Sequence, residues 1–88
     1  MAIILDGRAM VDRPSTHTHL ARQLELPTWY GRNLDALYDV LTELGTDTQI
    51  ILEAPGAVIE NLGKYGEALL RTMQEAAEEN PHLSITLQ

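Results

Sequence analysis

The chain has 88 residues, with 44% hydrophobic residues, thirteen acidic against six basic side chains and a formal charge of −7. That length allows one domain, expected to span residues 1–88, and a domain this short buries only about 60–65% of its unfolded surface, so its core must be economical. The charge disfavours direct contact with nucleic acid, which has the same sign, and favours a basic protein partner, although acidity also serves ordinary solubility.

Cysteine is absent, which excludes a thiol nucleophile and a cysteine-based zinc site and points to a reducing compartment, the cytoplasm. The opening residues Met1-Ala2-Ile3-Ile4-Leu5-Asp6-Gly7 have no basic region and no long apolar run. A secretory signal is therefore not expected. No apolar stretch approaches the roughly 18 residues of a membrane helix.

Ala2 to Leu5 is a short apolar run stopped by Asp6-Gly7, which predicts a buried strand and a turn. Pro14, Ser15 and Thr16 supply helix-start chemistry, Leu20, Ala21 and Leu24 repeat at helical spacing, and Pro27 ends the run. Pro27 to Arg32 is an aromatic loop. Asn33 is the expected N-cap of a second helix, with Asp35 in its first turn, where the helix dipole favours negative charge. Leu34, Leu37, Leu41 and Leu44 form one apolar stripe, and Gly45 is the expected C-terminal cap.

Ile50-Ile51-Leu52 is a continuous apolar run, the pattern of a strand covered on both faces. Pro55 opens a third helix ending near Gly63. A fourth runs from Tyr65 to Glu79 with Leu69, Leu70, Met73, Ala76 and Ala77 facing inward, and Asn80-Pro81 stops it. Leu83, Ile85 and Leu87 alternate with polar residues as a last strand. Helical crossovers between strands imply an α/β fold: a three-stranded parallel sheet packed with four helices.

The chemistry concentrates between Leu26 and Leu41. With Leu34, Leu37 and Leu41 turned to the core, Asp35 and Asp39 are neighbours on another helix face, extended by Thr42 and Glu43. Like charges at this spacing do not stabilise a helix, so the pair serves either as a solvated acidic face or as a binding surface. The chain has one tryptophan, three tyrosines and no phenylalanine. Trp29, Tyr30 and Tyr38 cluster here. Tyr30 is expected in the core, and Trp29 and Tyr38 at least partly exposed, where such rings act as interface anchors.

The pattern Leu26-Pro27, Tyr30-Gly31, Asn33-Leu34-Asp35-Ala36-Leu37 and Asp39, followed by Leu41-Thr42, resembles the barstar family. These are intracellular inhibitors of barnase and related guanyl-preferring ribonucleases. Thinner matches at His17, Leu20, Leu24, Leu52-Glu53, Gly66 and Glu75-Ala76 extend the resemblance along the chain.

The resemblance implies the same fold and a mode of action. A monomer would form a 1:1 complex in which carboxylates occupy the place of substrate phosphate in the ribonuclease active-site groove. Asp39 is then the central anchor, Asp35 a second contact and Glu75 a third. Gly31, Asn33 and Leu34 shape the surface that presses into the groove, and Trp29 offers a face where a base would stack. Tyr38 lies in the same surface. Departures from the family are Trp29 for tyrosine, Tyr38 for tryptophan, Leu44 for an aromatic, Arg32 for an acid and the uncharged Thr28. They point to a different ribonuclease of the same class.

Other readings differ in class. Asp35 and Asp39 could form an acid–base pair as in glycoside hydrolysis, but no deep cleft is evident in the sequence. His17 and His19 are two apart and His82 is remote. Metal-ligand spacing is therefore lacking, and these residues are expected to be scattered, partly exposed histidines. Neither a cofactor nor a metal is expected. The scaffold could also be a binding module or antitoxin directed at another basic nuclease or a non-nuclease partner.

Overall fold

The computed structural model describes residues 2–88. The elements follow the expected order: β1 (Ala2–Asp6), a 3-10 helix (Gly7–Ala9), α1 (Arg13–Gln23), α2 (Leu34–Thr42), β2 (Thr48–Glu53), α3 (Pro55–Leu62), α4 (Lys64–Glu79) and β3 (Leu83–Leu87). The three strands are parallel in the order β1-β2-β3. Each strand-to-strand connection carries two α-helices, the long crossover that parallel pairing requires.

The strand register decides which side chains meet. Ile3 lies beside Ile50, and Ile50 beside Ile85; Leu5 lies beside Leu52, and Leu52 beside Leu87. Leu5, Ile50 and Leu52 are fully buried on this face, under Leu20 of α1, Leu37 and Leu41 of α2, Val58 of α3, and Leu69, Met73 and Ala76 of α4. Burial of these side chains supplies the main driving force for folding.

The opposite face corrects the expectation that the middle strand is covered on both sides. Ile4, Ile51 and Thr86 share a row there; Ile4 is 52% exposed, Thr86 exposed and Ile51 only half-buried. Gln49 and Ser84 are exposed on the same face. All the helices pack on one side, so a continuous apolar run in β2 is only half enclosed.

Two helix ends also differ from expectation. Helix α1 starts at Arg13, two residues before Ser15, because Asp12 accepts a hydrogen bond from the Ser15 amide at 2.8 Å and the Ser15 hydroxyl accepts one from the Asp12 amide at 3.1 Å. This reciprocal cap satisfies two otherwise unpaired amides. Helix α2 stops at Thr42 with Glu43 as its C-cap, before Gly45. Asn80, buried at the end of α4, donates its side-chain amide to the carbonyls of Leu41 (2.9 Å) and Leu44 (3.0 Å) and accepts from the His82 amide (2.9 Å). One side chain thus terminates α2 and starts the turn into β3, which a local glycine cap would otherwise do.

Helices α3 and α4 join with little space between them. Gly66 is buried, and a β-carbon there would stand 2.5 Å from the Val58 carbonyl oxygen. Gly66→Ala is expected to force the helices apart and cost about 1–3 kcal/mol. A urea unfolding midpoint unchanged from that of the parent protein would show that the pair can yield.

Candidate functional site

The loop between α1 and α2 is held from both sides. Tyr30 is buried, as expected, and its hydroxyl lies 2.8 Å from Nδ1 of His17. The other ring nitrogen of His17 lies 2.6 Å from the hydroxyl of Tyr65 on α4. His17 is only 2% exposed, which corrects the expectation of a partly exposed histidine. Its spacing to Leu20 and Leu24, three and seven residues, already placed it on the apolar stripe of α1.

A neutral imidazole donates from one nitrogen and accepts at the other, so it matches two hydroxyls without an unpaired group. Burial, with the nearby Arg32 charge as a second cause, lowers the His17 pKa below 6.5. Burial is also the main cause that pushes the Tyr30 hydroxyl up to about 12.

From this anchor the loop runs outward. Trp29 is 77% exposed, the largest exposure among the large apolar side chains described. Arg32 has a left-handed backbone (φ 56°), and its guanidinium donates to the Pro14 carbonyl (2.8 Å) and the Thr18 hydroxyl (2.7 Å). Such a backbone is strained for a residue with a side chain, and these bonds to α1 hold it. Asn33 caps α2 as expected: its Oδ1 accepts from the Ala36 amide at 2.7 Å, while its amide group donates to the Gly31 carbonyl at 3.2 Å. A β-carbon on Gly31 would stand 3.0 Å from that of Ala36, so the loop and helix start are closely apposed.

The helix then distributes its acids. Asp35 and Asp39 are both exposed and one turn apart, but they border different depressions. Asp39 and Glu43 line an open cleft of about 330 Å³ with Trp29, Tyr30 and Gly31. Asp35 lines a neighbouring cleft with Asn33 and the half-buried Leu34. Tyr38 is half-buried, and its hydroxyl pKa is raised first by burial and then by the negative charges of Glu79, Glu75 and Asp39. Glu75 and Glu79 of α4 therefore flank Tyr38 together with Asp39 of α2. The sequence leaves open whether Glu79 reaches a partner, because its proximity to Tyr38 depends on how α4 packs on α2.

None of Asp35, Asp39, Glu43, Glu75 and Glu79 makes an ion pair; among the described residues the ion pairs are Arg8–Asp6 and His82–Asp47. These carboxylates present unneutralised acceptors suited to guanidinium or ammonium donors. The barstar family model, described as barstar (barnase inhibitor), matches residues 1–88.

The chain belongs to the barstar family. It is also 40% identical over 79 residues to a Bacillus subtilis protein named "Putative ribonuclease inhibitor YrdF", covering 88% of this chain and 86% of the relative. The parallel three-stranded sheet with four helices is the barstar-like arrangement. No helix among the described residues is long and apolar enough to cross a membrane.

The buried histidine has a consequence for stability. A proton binds His17 more tightly in the unfolded chain, so its contribution is complete above pH 6.5 and is lost as pH falls through its lowered folded value. Asp6 and Asp12, lowered by hydrogen bonds to Arg8 and Ser15, act in the same direction but only near and below their ordinary value of 3.8. Urea unfolding at about pH 7.5 and about pH 5.5 should show a loss in the parent protein and a smaller loss in His17→Gln, which starts weaker. Equal losses in both would remove His17 from the account.

Proposed function

We propose that this protein is an inhibitor of a secreted, guanyl-preferring microbial ribonuclease and not itself an enzyme. It acts in the cytoplasm as a monomer in a 1:1 complex. Asp39, Asp35 and Glu75 enter the partner's active-site groove and take the place of substrate phosphate. Trp29 stacks where a base would lie, Gly31, Asn33 and Leu34 form the pressing surface, and Tyr38 lies in the same surface.

The observation that carries this reading is the convergence of unpaired carboxylates around Trp29 and Tyr38 on a chain of the barstar family. A groove that binds polyanionic RNA is rich in arginine, lysine and histidine. Carboxylates already held by α2 and α4 satisfy those donors with little further ordering. The net charge of −7 steers such an enzyme towards the site, so association should slow as salt is raised.

The test is RNA cleavage by a panel of secreted guanyl-preferring ribonucleases, with and without a stoichiometric amount of the protein. Loss of activity at a 1:1 ratio in any of them supports the reading. Full activity of all of them in its presence overturns it in favour of another basic partner. Against an inhibited enzyme, Asp39→Ala should weaken binding by about 3–5 kcal/mol, because it strands buried cations on the enzyme. A loss below about 1 kcal/mol would make Asp39 a rim charge. Glu60→Ala, an exposed change on α3, is the control and should leave inhibition intact.

A further inference from the structure

Positive charge borders the acids of α2 in a neighbouring cleft. Only six basic residues occur in the sequence, and two of them, Arg13 and Arg32, line one open cleft of about 460 Å³ with Asn33, Leu34, Asp35 and Tyr65. Both guanidiniums are held in position. Arg32 donates only to uncharged acceptors, the Pro14 carbonyl and the Thr18 hydroxyl. Arg13 lies 4.1 Å above the ring of Tyr65, whose hydroxyl is fixed by His17. Neither arginine is ion-paired among the described residues, and Asp35 borders the same cleft without bridging to either.

The position of this cleft gives it meaning. Arg32 stands between Gly31 and Asn33, and the cleft shares Asn33, Leu34 and Asp35 with the docking surface. A partner that covers those residues also covers the two cations. Its bonds to α1 keep Arg32 from swinging away. A purely basic groove would meet like charge here and be rejected.

We propose that Arg13 and Arg32 form a carboxylate-binding cleft that recognises an acidic side chain on the partner ribonuclease, beside its basic groove. This rests on the inhibitor reading and names the feature that selects among ribonucleases. A guanidinium presents paired N–H donors that match a carboxylate edge-on, and two already held in one cleft lose little freedom on binding. Asp35, at the border of the cleft, separates the point where the partner must be acidic from the groove where it must be basic.

The test uses a ribonuclease that the parent protein inhibits, RNA as substrate, and the variants Arg32→Glu, Arg32→Gln and Arg13→Gln. Each variant is checked for native circular dichroism, and Arg13→Gln leaves the Arg32 bonds to Pro14 and Thr18 in place. Inhibition should weaken by roughly tenfold in Arg13→Gln and more in Arg32→Glu. An acid-to-arginine change on the enzyme should restore binding to Arg32→Glu.

Unchanged or tighter inhibition by both, with Asp39→Ala still defective, would overturn the proposal and leave the inhibitor reading standing. Failure of the parent protein to inhibit any ribonuclease would overturn both. A short RNA oligonucleotide that binds the protein alone, and loses binding in Arg32→Glu, would overturn it in favour of a nucleic-acid contact.

Discussion

A buried imidazole between two phenols holds the loop between α1 and α2 to the rest of this molecule. His17 comes from α1, Tyr30 from the loop that follows, and Tyr65 from the first turn of α4, so three separate segments meet on one ring. Each polar atom in this group has its partner inside the protein, which is the condition for burying it. With Tyr30 pinned inward, its neighbours Trp29 and Gly31 face outward. The Arg32 bonds to Pro14 and Thr18 and the Asn33 cap then set the direction of α2. The acids of α2 are as well placed as this anchor makes them.

On that frame the charges follow a pattern. Asp39 and Glu43 border the Trp29 cleft, Glu75 and Glu79 approach Tyr38 from α4, and Arg13 and Arg32 occupy the neighbouring depression. Like charges held close on two helices do nothing for folding stability, and the chain compensates for them elsewhere through its apolar core. An ordinary solvated surface would intersperse the signs and pair some of them. Here the acids lie unpaired around exposed aromatic area, an arrangement that favours a partner of complementary charge.

Much of the fold was legible because its determinants are local. The Asn33 cap, the Leu34-Leu37-Leu41 stripe, the Pro55 start of α3 and the alternation in β3 all depend on neighbours within a turn or two, and all are present. Local reasoning went wrong where a distant residue took over. Gly45 was a plausible cap for α2, but Asn80, 36 residues from Leu44, satisfies the end of that helix. The run Ile50-Ile51-Leu52 suits two covered faces, yet which faces are covered depends on where the helices go. His17 was the one miss with a visible local signal, its place on the α1 stripe. The exposed Trp29 and buried Tyr30 were readable because a chain without phenylalanine must place some of its few rings in the core.

The sequence by itself determined the order of the elements, the one-turn spacing of Asp35 and Asp39, the aromatic loop before them and the sign of the protein's field. These are properties of composition and of contacts within a few residues. Only the tertiary structure decided that His17 joins Tyr30 to Tyr65, that Glu75 and Glu79 gather at Tyr38, that Arg13 and Arg32 share a cleft, and that the sheet is covered on one face. Each of these depends on packing between elements far apart in the chain. Helical and strand periodicity specify which face of an element turns inward but not which other element it meets.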